Sequence, residues 1–324
     1  MVDRKRIGNS LGSAFDGSGL PERGRHSGKV REWYSLPDGH LFMATTDRLS
    51  AFDRILASVP WKGQVLNQLS AWWFEETKDI VPNHFVSAPD PNVSLLRPAA
   101  PLPVEVIVRG YITGVTSTAL WHRYSLGERE IYGYRFSGGL RKNQRLPEAV
   151  ITPTTKGGPT GHDERLTCDE VVSKGLVEEG LWKRVMEASH ALYARGVERA
   201  TRAGLILVDT KYEFGVDRDG NLLLIDEVHT PDSSRFWKAD TYDARFETGT
   251  EPESFDKEYV RIEYAARGYR GDGEAPKLPE SVWIDTSVLY QTSYEKLTGR
   301  DFVPAEYPAG PRITALLARF GVKS

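Results

Sequence analysis

Residues 205–208, Leu205-Ile206-Leu207-Val208, form an unbroken apolar run, as in a strand covered on both faces. Directly after it, Asp209, Lys211 and Glu213 stand two residues apart, so on a strand all three point to one face. A second apolar run, residues 222–225, ends in Asp226-Glu227. The intervening Asp217-Arg218-Asp219-Gly220-Asn221 is turn chemistry, which predicts a hairpin. Earlier in the chain, residues 29–36 and 40–46 read as short strands around the Pro37-Asp38-Gly39 turn, predicting an antiparallel sheet. Residues 64–78 have helical periodicity, with Val65, Leu66, Leu69, Trp72 and Trp73 on one stripe, and the tryptophans are expected in the core. Residues 88–103, rich in proline, read as an extended connector into a strand at 104–109. Residues 127–165 read as a long irregular segment, the kind that is usually functional or disordered. Thr167-Cys168-Asp169-Glu170 has capping-box form and opens a helix. The longest helical pattern spans 178–203, with Leu181, Val185, Ala188 and Leu192 on one face and Gly204 as its stop. Two further helices are expected at 253–267 and 281–297. This order gives an α+β architecture, not a regular β-α-β alternation.

A chain of 324 residues can build two lobes around a cleft. Its 40% hydrophobic and 27% charged residues are an ordinary soluble balance. The net charge of −3 argues against a nucleic-acid partner bound by phosphate neutralisation. Cys168 is the only cysteine, which excludes an intramolecular disulfide and any multi-cysteine metal site and fits a reducing cytoplasm. Cys168 itself is expected as a small buried residue at a helix start. The first 25 residues read as a loosely ordered arm, not a signal peptide. No apolar run approaches the roughly 18 residues that a membrane span needs, so no membrane partner is expected.

The predicted hairpin would gather Lys211, Glu213, Asp226 and, with them, Asp209. Unpaired charges in a strand are costly, so these should face a wet cleft or charged ligands. A lysine amid carboxylates at a strand end suggests Mg²⁺ and phosphates; a salt-bridged sheet surface is the open alternative. Gly28-Lys29-Val30-Arg31 sets a flexible glycine beside two cations but lacks the spacing of a Walker loop. Asp47-Arg48-Leu49-Ser50-Ala51-Phe52-Asp53 follows a strand and suits either ligand binding from a loop or plain turn capping. Arg109-Gly110-Tyr111-Ile112-Thr113-Gly114 offers a planar fork for phosphate or carboxylate, and Asp232-Ser233-Ser234-Arg235 offers a second. The two arginines could clamp one anion or sit in ordinary ion pairs. Thr152-Pro153-Thr154-Thr155-Lys156 and His162-Asp163 lie where a loop could close over a substrate. His162 has no companion histidine at metal-ligand spacing, and no Gly-x-Ser-x-Gly elbow supports a serine hydrolase.

Taken together these segments resemble the SAICAR synthetase family of purine biosynthesis. The matching pieces are GKVR at Gly28, TDRLSAFD at Thr46, PVEVIVRGYITG at Pro103, TPTTK at Thr152, GHDE at Gly161, LVDTKYEFG at Leu207 and DEVHTPDSSRFW at Asp226. They occur in family order over roughly residues 25 to 300. The resemblance implies a two-lobed α+β fold: an arm at 1–25, a small antiparallel lobe at 26–102, and a larger ATP-grasp-like lobe at 103–324. It implies ATP-dependent joining of the carboxylate of carboxyaminoimidazole ribonucleotide (CAIR) to the amine of L-aspartate, with ADP and phosphate released, through an acyl phosphate. By matched position, Lys29 and Arg31 should meet ATP phosphates, and residues 101–104, Leu102 among them, should border the adenine. Glu213 and Asp226 should hold Mg²⁺ beside the nucleotide. Lys211, with Asp209, should serve the reacting groups. Arg109 and Arg235, with Ser234, should grip the ribonucleotide phosphate, and Ser50, Asp53, Lys156 and Asp163 should face the substrates. Many members carry a serine where this chain has Val115, which leaves Thr116-Ser117-Thr118 to supply a hydroxyl, and Ser117 is the candidate. The implied partners are ATP, CAIR and L-aspartate, for a cytoplasmic monomer or homodimer. Two other readings accompany this one: a small-molecule kinase of the inositol-phosphate type, and a nucleotide-binding protein without catalysis.

Overall fold

The computed structural model describes residues 1–52, 54–156 and 163–322. Its first sheet has five antiparallel strands in the order His26–Ser27, Arg31–Ser35, Leu41–Thr45, Val93–Leu96 and Phe85–Asp90. Strand alternation sends Tyr34, Phe42, Ala44 and Val93 to one face, where they pack with Phe15, Leu20, and Ile313 and Leu317 of the helix Gly310–Arg319. The helix Lys62–Glu76 lies against the other face, and the same helix buries Val65, Leu66, Leu69 and Trp73 in the main core.

Two expectations for this part of the chain are corrected. Residues 88–103 are not merely a connector, because Val93–Leu96 is an inner strand of the first sheet. At four residues, set between Pro91 and Pro98, it is too short to show a period. Residues 1–25 are not a loose arm either. Asp3 caps the helix Arg4–Ser10 by accepting from the Arg6 amide at 2.9 Å, and Val2, Ile7, Phe15 and Leu20 are buried. Four apolar residues so widely spaced carry no periodic signal, yet each finds a cavity wall.

One buried carboxylate ties this region together. Asp47 accepts from the Phe15 amide (2.9 Å), the Gly63 amide (2.8 Å) and the Tyr307 hydroxyl (2.7 Å). It thereby joins the end of a strand, the N-terminal segment, the start of the helix Lys62–Glu76 and a segment from far downstream. Burial pushes its carboxyl up to about 6, although the three donors favour the ionised form.

The second sheet is also antiparallel. Its main path runs Gln144–Ile151, Ala100–Ile112, Leu205–Val216 and Leu222–Ile225. Thr154–Thr155 adds to Ala100–Ile112, and Ser234–Lys238 adds to Leu205–Val216. The expected hairpin is present, with Glu213 opposite Ile225 and Val216 opposite Leu222. The segment 127–165, expected to be irregular, instead supplies Gln144–Ile151, whose pairing is interrupted between Arg145 and Val150. That interruption, next to Pro147, hides the strand's alternation. The capping box at Thr167 is formed as expected, with Glu170 and Thr167 exchanging side chain-to-amide hydrogen bonds at 2.8 and 3.0 Å. Cys168, half-buried, opens that helix.

The helix Glu179–Arg202 backs the sheet with Trp182, Val185, Leu192, Tyr193 and Ala200. Against it the central strand presents Leu205 and Leu207, and then Tyr212 and Phe214. These pairs differ in parity, so uniform alternation could not put all four in one core. A register shift between Leu207 and Asp209 supplies the extra residue. It also leaves Val208 free to pack with Tyr111 and Trp237 on the opposite side. Among the described residues no helix is long and apolar enough to cross a membrane.

Replacing Asp47 by Asn would set an amide donor against at least one of the three donors it now accepts from. The expected loss is about 2–3 kcal/mol of unfolding free energy, read as a lower denaturation midpoint in urea with an unchanged slope.

Candidate active site

Because Asp209, Lys211 and Glu213 follow the bulge, they share the face of the sheet opposite the helix Glu179–Arg202. The neighbouring strand Ala100–Ile112 adds Glu105 and Arg109 to that face, with Glu213 opposite Glu105 and Asp209 opposite Arg109. On the other side Asp209 stands opposite Arg235. Two charged clusters result.

The first is centred on Lys211. Its ammonium lies 3.0 Å from Glu105, 3.5 Å from Asp226 and in contact with Glu213, which also pairs with Lys156. Asp226 is in the left-handed region (φ 67°), a conformation that aspartate tolerates, and this turns its carboxylate back into the cluster at the end of Leu222–Ile225. Arg31 forks across the next step, meeting Asp226 with one nitrogen and Glu227 with the other at 2.9 Å. Burial works against the charge on Lys211, but Glu213 and Glu105 outweigh it and hold its pKa above the ordinary lysine value. Burial would likewise raise Glu213, yet Lys211 and Lys156 pull it down to about 2. Among the described residues Glu105 pairs with Lys211 and no second cation, and burial raises its carboxyl. A recess lined by Met43, Leu66, Phe74 and Leu96 runs under the first sheet to Arg31 and Asp226.

The second cluster is a cross-strand row. Asp209 accepts from Arg109 at 3.2 Å and from Arg235 at 3.0 Å, both on one oxygen, and Arg109 also donates to the Thr152 hydroxyl at 2.8 Å. Gly114 (φ 90°) lies against this row, and a Cβ there would come within 3.1 Å of the Arg235 guanidinium. Gly110 faces the other way: a Cβ on it would come within 2.2 Å of the Tyr193 hydroxyl. Of the two glycines in the Arg109–Gly114 segment, one therefore admits a core tyrosine and only the other admits the site arginine.

The other expected site residues differ in exposure and in the groups they meet. Asp209 belongs to the arginine row and not beside Lys211 and Asp226, because the register aligns it with Arg109 and Arg235. Ser234 points to the opposite side from Arg235, buried, with its hydroxyl donating to Thr210 at 2.8 Å. Leu102 faces the core with Val104 and Val106, not the charged face. Ser50 is half-buried in the small hairpin of Arg48–Ala51 and Arg54–Ser58 and makes no hydrogen bond from its side chain to the described residues. Ser117 is exposed on the turn after Gly114. Lys29 and Asp163 are exposed. Asp53 and His162 lie outside the described residues. His229, within the DEVHTPDSSRFW segment, is a core residue: burial lowers its pKa to about 3, and its Nε2 lies 3.1 Å from the Tyr212 hydroxyl.

Other residues belong to the site without having been expected there. Glu105 stands in an otherwise apolar strand at the same parity as Arg109, a signal that was open to reading. Lys62 has no such signal, since it is a single charge at a helix start, between Trp61 and Gly63. Fully buried, it donates to Asp232 at 2.7 Å and to the Arg48 carbonyl at 3.0 Å, while Tyr290 donates to the second oxygen of Asp232 at 2.6 Å. Arg48 in turn donates to the carbonyls of Gly28 (2.9 Å) and Lys29 (3.0 Å) and pairs with Glu32 at 2.5 Å. A continuous polar chain thus connects the Gly28–Arg31 loop with the loop that follows Asp226.

Among the described residues no group of three or more His, Cys, Asp or Glu is arranged to hold a metal ion. Of the three carboxylates that meet at Lys211, Glu213 and Asp226 suit a hard cation that takes one or two carboxylates and completes its shell with phosphate and water.

The SAICAR synthetase family model matches residues 25–276. The phosphoribosylaminoimidazole-succinocarboxamide synthase of Legionella pneumophila (strain Lens) is 47% identical, over 90% of this chain and 93% of its own. The chloroplastic enzyme of that name from Vigna aconitifolia is 49% identical, over 79% of this chain and 74% of its own. Among solved structures, SAICAR-synthase from Saccharomyces cerevisiae complexed with SAICAR superposes with a TM-score of 0.75 at 34% identity, covering 90% of this chain and 99% of that one.

The lowered pKa of Glu213 makes a stability prediction. A carboxylate depressed on folding stabilises the protein above its unfolded pKa, and that contribution is lost as pH falls toward the folded value. The stability difference between the wild type and Glu213→Gln should shrink by roughly 2 kcal/mol between pH 5 and pH 3. Urea titrations across that range would show it, and a difference independent of pH would contradict it.

Proposed function

Because the chain belongs to the SAICAR synthetase family, we propose that its two charged clusters divide one reaction between them. The protein is an ATP-dependent ligase of purine biosynthesis that joins CAIR and L-aspartate into SAICAR. Family membership sets aside the kinase reading and the non-catalytic one. Small molecules are its partners, and its single cysteine suits a reducing cytoplasm.

Chemistry dictates what the clusters must do. A carboxylate is a poor acyl donor because its oxygen leaves poorly at neutral pH. Transfer of the γ-phosphoryl of ATP to the CAIR carboxylate forms an acyl phosphate; attack by the aspartate amine then forms the amide bond and expels phosphate. Protein groups contribute alignment and charge neutralisation in such a transfer. Lys29 and Arg31 hold the nucleotide phosphates. Glu213 and Asp226 would hold Mg²⁺, which would supply neutralisation of the nucleotide's negative charge. Lys211 meets the oxygens of the transferred phosphoryl group, with its charge kept by Glu105 and Glu213.

The arginine row holds the ribonucleotide phosphate. Asp209 neutralises one of the two guanidinium charges and fixes their spacing, so it is a positioning residue. The observation that carries this reading is the arrangement of both clusters on one strand face. From Asp209 to Lys211 the strand advances about 7 Å, which sets the two arginines and Lys211 along one small substrate. In this reading Lys156 releases Glu213 when the nucleotide arrives, and Ser117 caps the phosphate from its exposed turn. The site falls between a nucleotide-facing lobe ending near residue 102 and a larger lobe beyond it.

Glu213→Gln is expected to abolish turnover, at least a thousandfold in kcat, while the far-UV spectrum stays that of the wild type. Near-normal activity would contradict the metal assignment. Arg235→Met should raise the KM for CAIR by ten- to a hundredfold and leave the KM for ATP within about threefold. In the wild type, ADP release monitored by a coupled assay should require CAIR and L-aspartate together.

A further inference from the structure

Nearly every charge around the cleft has its partner. Asp209 meets Arg109 and Arg235, Glu227 meets Arg31, Asp232 meets Lys62, and Glu258 meets Arg261 at 2.9 Å. Lys257 does not. It precedes the helix Glu258–Ala265, and its amide donates to the Pro231 carbonyl at 3.3 Å, which fastens it to the loop between Asp226 and Arg235. Its side chain is half-buried, and among the described residues its ammonium has neither an ion pair nor a hydrogen bond. The charged groups facing it are Asp232 and Glu227 from that loop, Arg261 from its own helix and Lys62 from the helix Lys62–Glu76. Both acids are already engaged by other cations. An uncompensated charge withdrawn from water is costly and is kept where a ligand completes it.

Resting on the ligase reading above, the remaining assignment is one of elimination by charge. Nucleotide phosphates have Lys29 and Arg31, the ribonucleotide phosphate has Arg109 and Arg235, and the transferred phosphoryl group has Lys211. The amino-acid substrate brings two carboxylates, and no cation has yet been allotted to them. We propose that Lys257 is a binding residue for the amino-acid substrate, its ammonium pairing with one carboxylate of L-aspartate. Asp232 and Glu227, on the same loop, make the surroundings favourable to the substrate's amino group and unfavourable to a third phosphate. The neighbouring charges act on Lys257 as well: burial lowers its pKa to about 8, against the pull of Asp232 and Glu227. The ion pair should therefore weaken as pH rises through that value.

Steady-state kinetics on the full-length enzyme tests the assignment. Lys257→Met should raise the KM for L-aspartate about ten- to a hundredfold, with the KM values for ATP and CAIR within about threefold of wild type. Lys257→Arg should recover part of the loss. An unchanged KM for L-aspartate in Lys257→Met overturns the proposal whatever happens to kcat. So does a rise in all three KM values together with a lowered Tm, the signature of a structural role. Should the Met variant not fold, the wild type and Lys257→Arg decide the matter with succinate, which keeps both carboxylates and has no amine to titrate. Its competitive Ki against L-aspartate should increase above pH 8 in the wild type and stay flat in Lys257→Arg; a flat wild-type profile to pH 9.5 overturns the assignment. A wild type that releases ADP without CAIR and L-aspartate would defeat the ligase reading itself, which separates that failure from this one.

Discussion

Lys211 is the cation on which the charged face of the second sheet depends. Glu105 and Glu213 stand opposite each other across a strand pair, and Asp226 closes on them from the hairpin partner. At an effective dielectric near 20, two like charges ~4 Å apart repel by about 4 kcal/mol, a large part of a typical domain's net stability. One ammonium in reach of all three converts that repulsion into mutual attraction. Its neighbours return the effect by keeping the lysine protonated despite its burial. A site of this kind is in balance with a single cation.

The face would be of no use if the two sheets drifted apart. What holds them is buried polar bonding as much as apolar packing. Arg48 grips the carbonyls of the Gly28–Arg31 loop, Lys62 grips the Arg48 carbonyl, and Asp232 grips Lys62 from the loop beyond Asp226. Each of these groups would be costly to leave unpaired, so the Gly28–Arg31 loop and the loop beyond Asp226 keep a fixed separation. Arg31 makes the last connection directly, from the first sheet to Asp226 and Glu227.

What the sequence disclosed follows from which forces act locally. The hairpin was legible because its turn residues and alternation are written in adjacent positions, and so was the Thr167 cap. Val93–Leu96 and Gln144–Ile151 were not, because prolines and a register shift break their period and only pairing with distant strands reveals them. The charged triad was visible as a set, but its division was not. Nothing local says that Asp209 will find two arginines from strands a hundred residues before it and twenty-six after. Ser234 shows the complementary error, since adjacency to Arg235 in sequence means opposite faces on a strand. Lys62, buried at a helix start, is a consequence of tertiary contact alone.

The first sheet has a debt to later parts of the chain. Its outer face is covered by the helix Gly310–Arg319, and the Asp47 carboxylate at its edge waits for Tyr307. On the ribosome these strands emerge early, yet Phe42 and Ala44 stay uncovered until nearly all of the remaining chain has followed. Biosynthesis and assembly therefore run in opposite directions here: the half made first is the half finished last, and its exposed face is the surface a chaperone would meet in the interval.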